Sequence, residues 1–212
     1  LEAAFLYGGF PYPGLDNKFL RAAPSTVTDI IGTSGPVRLG STEGGNGDET
    51  GLTVFPLPGH FLDMIGVRTP DNVVFLADAL FSETIISKYH LFFIYDVAAY
   101  LKTLNDIGTM EAELFVPAHA EPAGDISALV EINRKKIEEI AEVITAAAAE
   151  QREGAGFEEV LAVISGHYGL TLDANQYVLI GSTVRSYLSY LSGAGRLLPD
   201  WRDGRMRWRR PD

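Results

Sequence analysis

Leu57-Pro58-Gly59-His60, Phe75-Leu76-Ala77-Asp78-Ala79-Leu80-Phe81 and Phe115-Val116-Pro117-Ala118-His119-Ala120 are the three stretches on which the fold reading turns. Each sets one metal-competent side chain after an apolar run: His60 follows LTVFPLPG, Asp78 follows VVFLA and His119 follows LFVPA. A carboxylate or imidazole at the C-terminal edge of a buried strand is held by the sheet and faces a crevice, where α/β proteins generally carry their sites. Each also has an ordinary reading. His60 suits a hydrogen-bonded turn, Asp78 a cap for the helix LFSETII, and His119 a loop after a strand. The recurrence of one arrangement three times favours a shared site.

Around these stretches, VRLG at 37–40 and LTVFPLP at 52–58 read as strands joined by the polar, Gly-rich STEGGNGDET. MIGVRT and NVVFLA flank Pro70-Asp71-Asn72 and read as a hairpin. The run 73–77 is apolar on both faces, which predicts a covered, central strand. Asp96 can cap a helix through VAAYLKTLNDI that stops at Gly108. ELFVP at 113–117 reads as another buried strand. A long helix is expected over 127–151, with Ile137, Ile140, Ala141 and Ile144 on one face. Strands, helix, strand and helix in that order indicate a layered α/β domain.

Gly154-Ala155-Gly156 marks a boundary, dividing the chain into 1–153 and 154–212. Beyond it the pattern predicts a helix over 157–168, a second after the capping Asp173 and a third from near Ser182, the last carrying Val184, Tyr187, Leu188 and Leu191 on one face. RLLPDW and RMRWRR flank Asp203-Gly204, a strong two-residue hairpin signal. Three helices followed by a β-hairpin is the winged-helix pattern.

Composition bounds the chemistry. With 212 residues and 46% hydrophobic residues, the chain can bury one sizeable core, or a core plus a small module. It has no cysteine, which excludes disulfides, thiolate zinc sites and cysteine nucleophiles. Any metal must then be held by His, Asp or Glu, a donor set suited to zinc, iron or manganese. No apolar run is long enough to span a bilayer, and the opening LEAAFLYGGFPYPG lacks the form of a signal peptide and an initiating Met. A cytoplasmic protein whose sequence begins downstream of its translation start is the expectation. The net charge of −11 sets the body against nucleic acid and anionic membranes. Yet Arg196, Arg202, Arg205, Arg207, Arg209 and Arg210 crowd the last 17 residues, against Asp200, Asp203 and Asp212. A solvated or dimer-facing hairpin is the plain reading of that tail.

His60, Asp78 and His119 lie 18 and then 41 residues apart, and in order and spacing they resemble the second half of the metallo-β-lactamase superfamily. The resemblance covers roughly residues 1–150. It implies the C-terminal part of an αββα sandwich, followed here by the winged-helix-like module. It implies that His60 serves a first metal ion, His119 a second, and Asp78 bridges both. Two divalent ions, zinc before iron or manganese, would generate a hydroxide nucleophile and polarise an ester, thioester, lactam or phosphodiester. The sequence departs from the family in four places. Phe61-Leu62-Asp63 replaces the usual T-P-G, Ala77 the usual Gly before the Asp, and Ala118 and Ala120 the glycines around the last His. The H-x-H-x-D-H motif that supplies the other four ligands is absent from these 212 residues. One ligand per ion plus a bridge falls short of the three protein ligands of a catalytic zinc. This chain alone is therefore expected to bind metal weakly or not at all, to turn over little substrate, and to self-associate through the sheet surface left uncovered.

Other residues carry lesser expectations. His90 and Tyr89 are candidate substrate contacts, with a packed histidine as the alternative. Phe92, Phe93 and Tyr95 read as core or pocket wall. Tyr7, Phe10 and Tyr12 could form a flap or a plain loop. Asp63 reads as a turn residue, Glu83 as an outer hydrogen-bond partner of the site, and His167 as a helix-end residue without chemistry. Arg185, Arg205 and Arg207 are candidate nucleic-acid contacts of the winged helix. The leading function is a metal-dependent hydrolase acting on a small molecule. A nucleic-acid binder or nuclease, and a non-catalytic relic of the fold, are the alternatives.

Overall fold

The computed structural model describes residues 6–9, 15, 24–39, 48–150 and 153–211. Phe10 and Tyr12 of the expected flap, and most of the STEGGNGDET connection, lie outside them; Tyr7 is exposed. The chain divides into two compact units, one formed by 24–89 with 98–135, the other by 1–23, 90–97 and 136–212.

The first unit is built on a sheet with strands in sequence order: β1 (Gly35–Leu39), β2 (Asp48–Pro56), β3 (Ile65–Arg68), β4 (Val73–Phe81) and, after helices α1 (Glu83–Tyr89) and α2 (Val97–Gly108), β5 (Leu114–His119). The first four strands pair antiparallel through short connections, whereas β5 joins β4 in parallel. Parallel neighbours need a crossover, and α1 and α2 lie within it. The expected hairpin is present as β3–β4, its turn carried by Asn72 at φ +62.

Val74, Leu76, Ala79 and Leu80 of β4 are fully buried, with Val54, Leu57, Tyr100, Leu104, Ile107 and Phe115 of the same unit. The Tyr100 hydroxyl donates to the Ala79 carbonyl at 2.8 Å, so the buried phenol keeps its polar end satisfied. Burial, and then the negative charge of Asp78, hold its pKa well above the ordinary tyrosine value. One face of the sheet differs from expectation. Phe75 is 44% exposed, and its ladder partners Val67 and Val116 are only partly covered. An apolar run thus marks a central strand here without both faces being buried.

The second unit contains the C-terminal part of α3 (Ser127–Ala149), then β6 (Ala155–Gly156), α4 (Phe157–His167), α5 (Ala174–Gly193) and the hairpin β7 (Leu198–Arg202)–β8 (Arg205–Arg209). Its sheet runs β6-β8-β7, all antiparallel. Ile137, Ile140, Ala141 and Ile144 are buried as their spacing predicts. Gly156 N–H donates to the Glu159 carboxylate at 2.6 Å at the start of α4, and Asp173 accepts from Gln176 N–H at 2.8 Å to cap α5. Asp203 and Gly204 both take positive φ, which the two-residue turn requires.

The helices expected on either side of Ser182 are a single one. Gly181, Ser182, Thr183 and Val184 are all buried within α5, and a side chain at Gly181 would meet the Phe157 ring at 3.2 Å. Close packing outweighs the roughly 1 kcal/mol that glycine costs a helix interior. Arg196 is likewise held down, donating to Glu142 at 2.9 Å and to Thr145 at 3.1 Å. Among the described residues no helix is long and apolar enough to cross a membrane.

Candidate metal centre

Two local departures from regular backbone and the end of β5 bring the site together within the first unit. After β2 the chain turns back toward β3, with Leu57 N–H donating to Met64 O at 2.7 Å. Gly59 sits at φ +126, and a Cβ there would lie 2.3 Å from the backbone nitrogen of Tyr100. Only glycine lets this loop press so closely on α2. Thr103 Oγ1 donates to Pro58 O at 2.7 Å and fastens the same loop. His60 is the next residue out.

Asp78 lies within β4 rather than past its end. Pairing with β5 shifts register on both sides of Ala77, which takes φ +46. That bulge re-aims the following side chain, as bulges next to sites commonly do. The position is one where the left-handed conformation favours glycine, and Ala77 carries the strain instead. The helix-cap reading of Asp78 does not hold, because α1 starts at Glu83 and Ile85 N–H is taken by Ser82 Oγ at 3.4 Å.

His119 closes β5. Its carbonyl accepts from Ser82 N–H at 2.9 Å, tying the ends of β4 and β5 together. Buried Asn133 braces the end of β4 through two hydrogen bonds to the Phe81 backbone, accepting from its N–H at 3.1 Å and donating to its carbonyl at 2.8 Å. The Phe81 ring stacks on His119, centroids 5.2 Å apart and planes 11° from parallel, and lies 5.9 Å from the His60 ring.

The result is a carboxylate set between two imidazoles. His60 Nε2 lies 3.3 Å from Asp78 Oδ2, and His119 Nε2 lies 3.3 Å from Asp78 Oδ1. Each imidazole faces its own oxygen. A charge-assisted N–H···O bond is normally about 2.7–2.9 Å. Two donors about 2.0–2.1 Å from one tetrahedral ion stand roughly 3.3 Å apart. The spacing is longer than such a bond and equals the separation of two donors on one ion. Side-chain exposures of 19%, 35% and 44% for His60, Asp78 and His119 leave the group reachable from solvent. No cluster of three or more His, Asp or Glu among the described residues is arranged to hold one ion.

The other candidates have other surroundings. His90, at φ +53, stacks on Tyr168 with centroids 5.2 Å apart, and the Lys136 ammonium lies 4.5 Å from the same ring. Tyr89 is 47% exposed with Lys88 over its ring. Glu83 is exposed in the first turn of α1, and Asp63 occupies a turn at φ +47. Arg185 lies flat on Phe157, 3.5 Å from the ring centroid. Arg207 donates to Gly154 O at 2.8 Å and lies 3.6 Å from Glu159. Arg205 is exposed. Phe81 and Asn133 carry no sequence signal of their role; Gly59 is visible in LPGH as the residue that lets the loop turn.

No family model and no curated protein sequence matches the chain. Solved structures do. A metallo-β-lactamase family protein of Thermus thermophilus superposes with a TM-score of 0.67 at 15% identity, over 98% of this chain and 62% of that one. A β-lactamase domain protein from Burkholderia ambifaria gives 0.57 at 16% identity, over 91% of this chain and 53% of that one. The fold is that of metallo-β-lactamase family proteins. The chain spans between half and two thirds of the length of these neighbours.

Proposed function

We propose that this chain carries part of the active site of a metal-dependent hydrolase, with His60 on one ion, His119 on a second and Asp78 bridging them. The observation that carries this reading is the Asp78 carboxylate offering one oxygen to each imidazole at 3.3 Å. The all-nitrogen-and-oxygen donor set suits zinc first, with iron or manganese able to replace it. When bound, such a pair supplies Lewis acidity and a nucleophile at neutral pH. The chain's own part is to hold the donors rigidly, through Gly59 against α2, the Ala77 bulge and the Asn133 brace, and to wall one side with Phe81. The remaining ligands are supplied by polypeptide outside these 212 residues. Two donors per ion, the partly covered Phe75 face and the greater length of the structural neighbours all support that. The same face is where self-association of the isolated chain is expected.

A winged-helix reading of the second unit is supported by its order α3-β6-α4-α5-β7-β8 and by the sheet order β6-β8-β7. In this reading the C-terminal part of α3 is the first helix, replacing the extra helix expected at Ser182.

Elemental analysis of the chain equilibrated with excess zinc, beside Asp78→Ala and His60→Ala, tests the proposal. Metal retained in the wild type, reduced in His60→Ala and abolished in Asp78→Ala supports a bridged site. Metal that survives Asp78→Ala removes the basis for it.

A further inference from the structure

The second unit exposes a feature that the hydrolase reading does not use. Trp201, next to the end of β7, is 69% exposed, while Trp208 across the same hairpin is 8% exposed. Paired residues of an antiparallel ladder share a face. The register Trp201↔Met206 and Pro199↔Trp208 therefore gives the hairpin an apolar face, buried at Trp208 and open at Trp201. The pairs Arg202↔Arg205, Asp200↔Arg207 and Leu198↔Arg209 give it an opposite face with four arginines and one aspartate. Arg202 and Arg205, both exposed, stand at the tip, adjacent to Trp201 along the chain but on the opposite face. Arg202 also reaches Asp200 at 2.8 Å.

Charge partition makes the hairpin distinctive. The last 17 residues hold six arginines and three aspartates, while the other 195 hold 11 basic and 25 acidic residues. A strongly acidic chain concentrates positive charge in one exposed ribbon that ends in an open indole.

We propose that the tip of the β7–β8 hairpin is a contact site for single-stranded nucleic acid that passes round it, with Trp201 stacking on a base on one face and Arg202 and Arg205 neutralising phosphates on the other. An indole face accepts any base, and flanking cations track the backbone, which is how sequence-tolerant single-strand binding is built. A membrane surface fits less well, since anchoring needs a broad apolar face and only one large ring is open here. Hairpin-to-hairpin pairing of two copies would set one arginine row against another. Of the three contacts expected from sequence, Arg185 and Arg207 are engaged with Phe157 and with Gly154 and Glu159, and Arg205 is exposed at the hairpin tip.

Tryptophan fluorescence tests this on the intact chain, titrated with short oligouridylate and, separately, oligothymidylate at low salt. Saturable quenching by either is expected. Trp201→Ala, its affinity read from the anisotropy of a labelled oligonucleotide because the reporting ring is gone, should weaken binding roughly 5- to 150-fold. Arg205→Ala should make the log–log salt slope shallower by about 0.7. Trp208, buried in the same hairpin, reports that the unit stays folded in both variants. Absence of quenching at low salt overturns the proposal, as does affinity unchanged in Trp201→Ala. A blue shift produced by protein concentration alone, or by anionic vesicles with no response to either oligonucleotide, overturns it in favour of self-association or a membrane contact.

Discussion

The helical core of the second unit and the candidate site of the first treat their polar side chains differently. In the helical core of the second unit, charge is paired locally. Lys136 is buried beside Glu139 at 2.8 Å, Tyr168 donates to Glu139 at 3.0 Å, and Arg196 is held by Glu142. Burial pushes the Glu139 carboxyl up, but the bonds from Lys136 and Tyr168 outweigh it and leave it below its ordinary value. In the first unit, three metal-competent groups face one another across spacings that a short hydrogen bond does not occupy. Backbone irregularity, which costs stability, collects around them at Gly59 and Ala77. The pairs in the helical core sit at 2.8–3.0 Å, whereas the three groups of the candidate site stand at 3.3 Å.

Substitutions that strike the backbone of the first unit should therefore do the most damage. Gly59→Ala forces a Cβ into the Tyr100 backbone at an unfavourable φ and should cost more than about 3 kcal/mol, leaving little folded protein in a urea melt. Asn133→Ala strips both hydrogen bonds from the Phe81 backbone and should cost about 2–4 kcal/mol, with a matching loss of metal affinity. Retained affinity in that variant would separate the brace from the site.

Ala77→Gly runs the other way. It relieves the positive φ and should stabilise by up to about 1 kcal/mol, read as a rise in thermal midpoint. A fall would show that the bulge is held by the alanine methyl. Arg196→Ala in the second unit removes a partly exposed pair and should cost less than about 1 kcal/mol.

The pattern of what is readable from sequence follows the same division. Strand runs, the Asn72 turn, the Asp173 cap and the Asp203-Gly204 turn are local signals, and local rules find them. His60, Asp78 and His119 are legible because each follows its own apolar run. Phe81 and Asn133 are not, since one acts through its ring and the other through a backbone 52 residues away in sequence. The helix break expected at Ser182 fails because Gly181 packs against Phe157, a contact that no local propensity encodes. The exposed face at Phe75 is hidden for a related reason: an apolar run does not say what covers it.

The most direct test of the central claim is anomalous diffraction from crystals of the chain equilibrated with a large excess of zinc, enough to fill weak sites that offer each ion only two protein donors. Two peaks are predicted, one on each side of Asp78 and about 3.5–4 Å apart. One should lie within about 2.2 Å of His60 Nε2 and the other within about 2.2 Å of His119 Nε2. Crystals without a peak at Asp78, in which both imidazoles have closed to hydrogen-bond distance on the carboxylate, would contradict it.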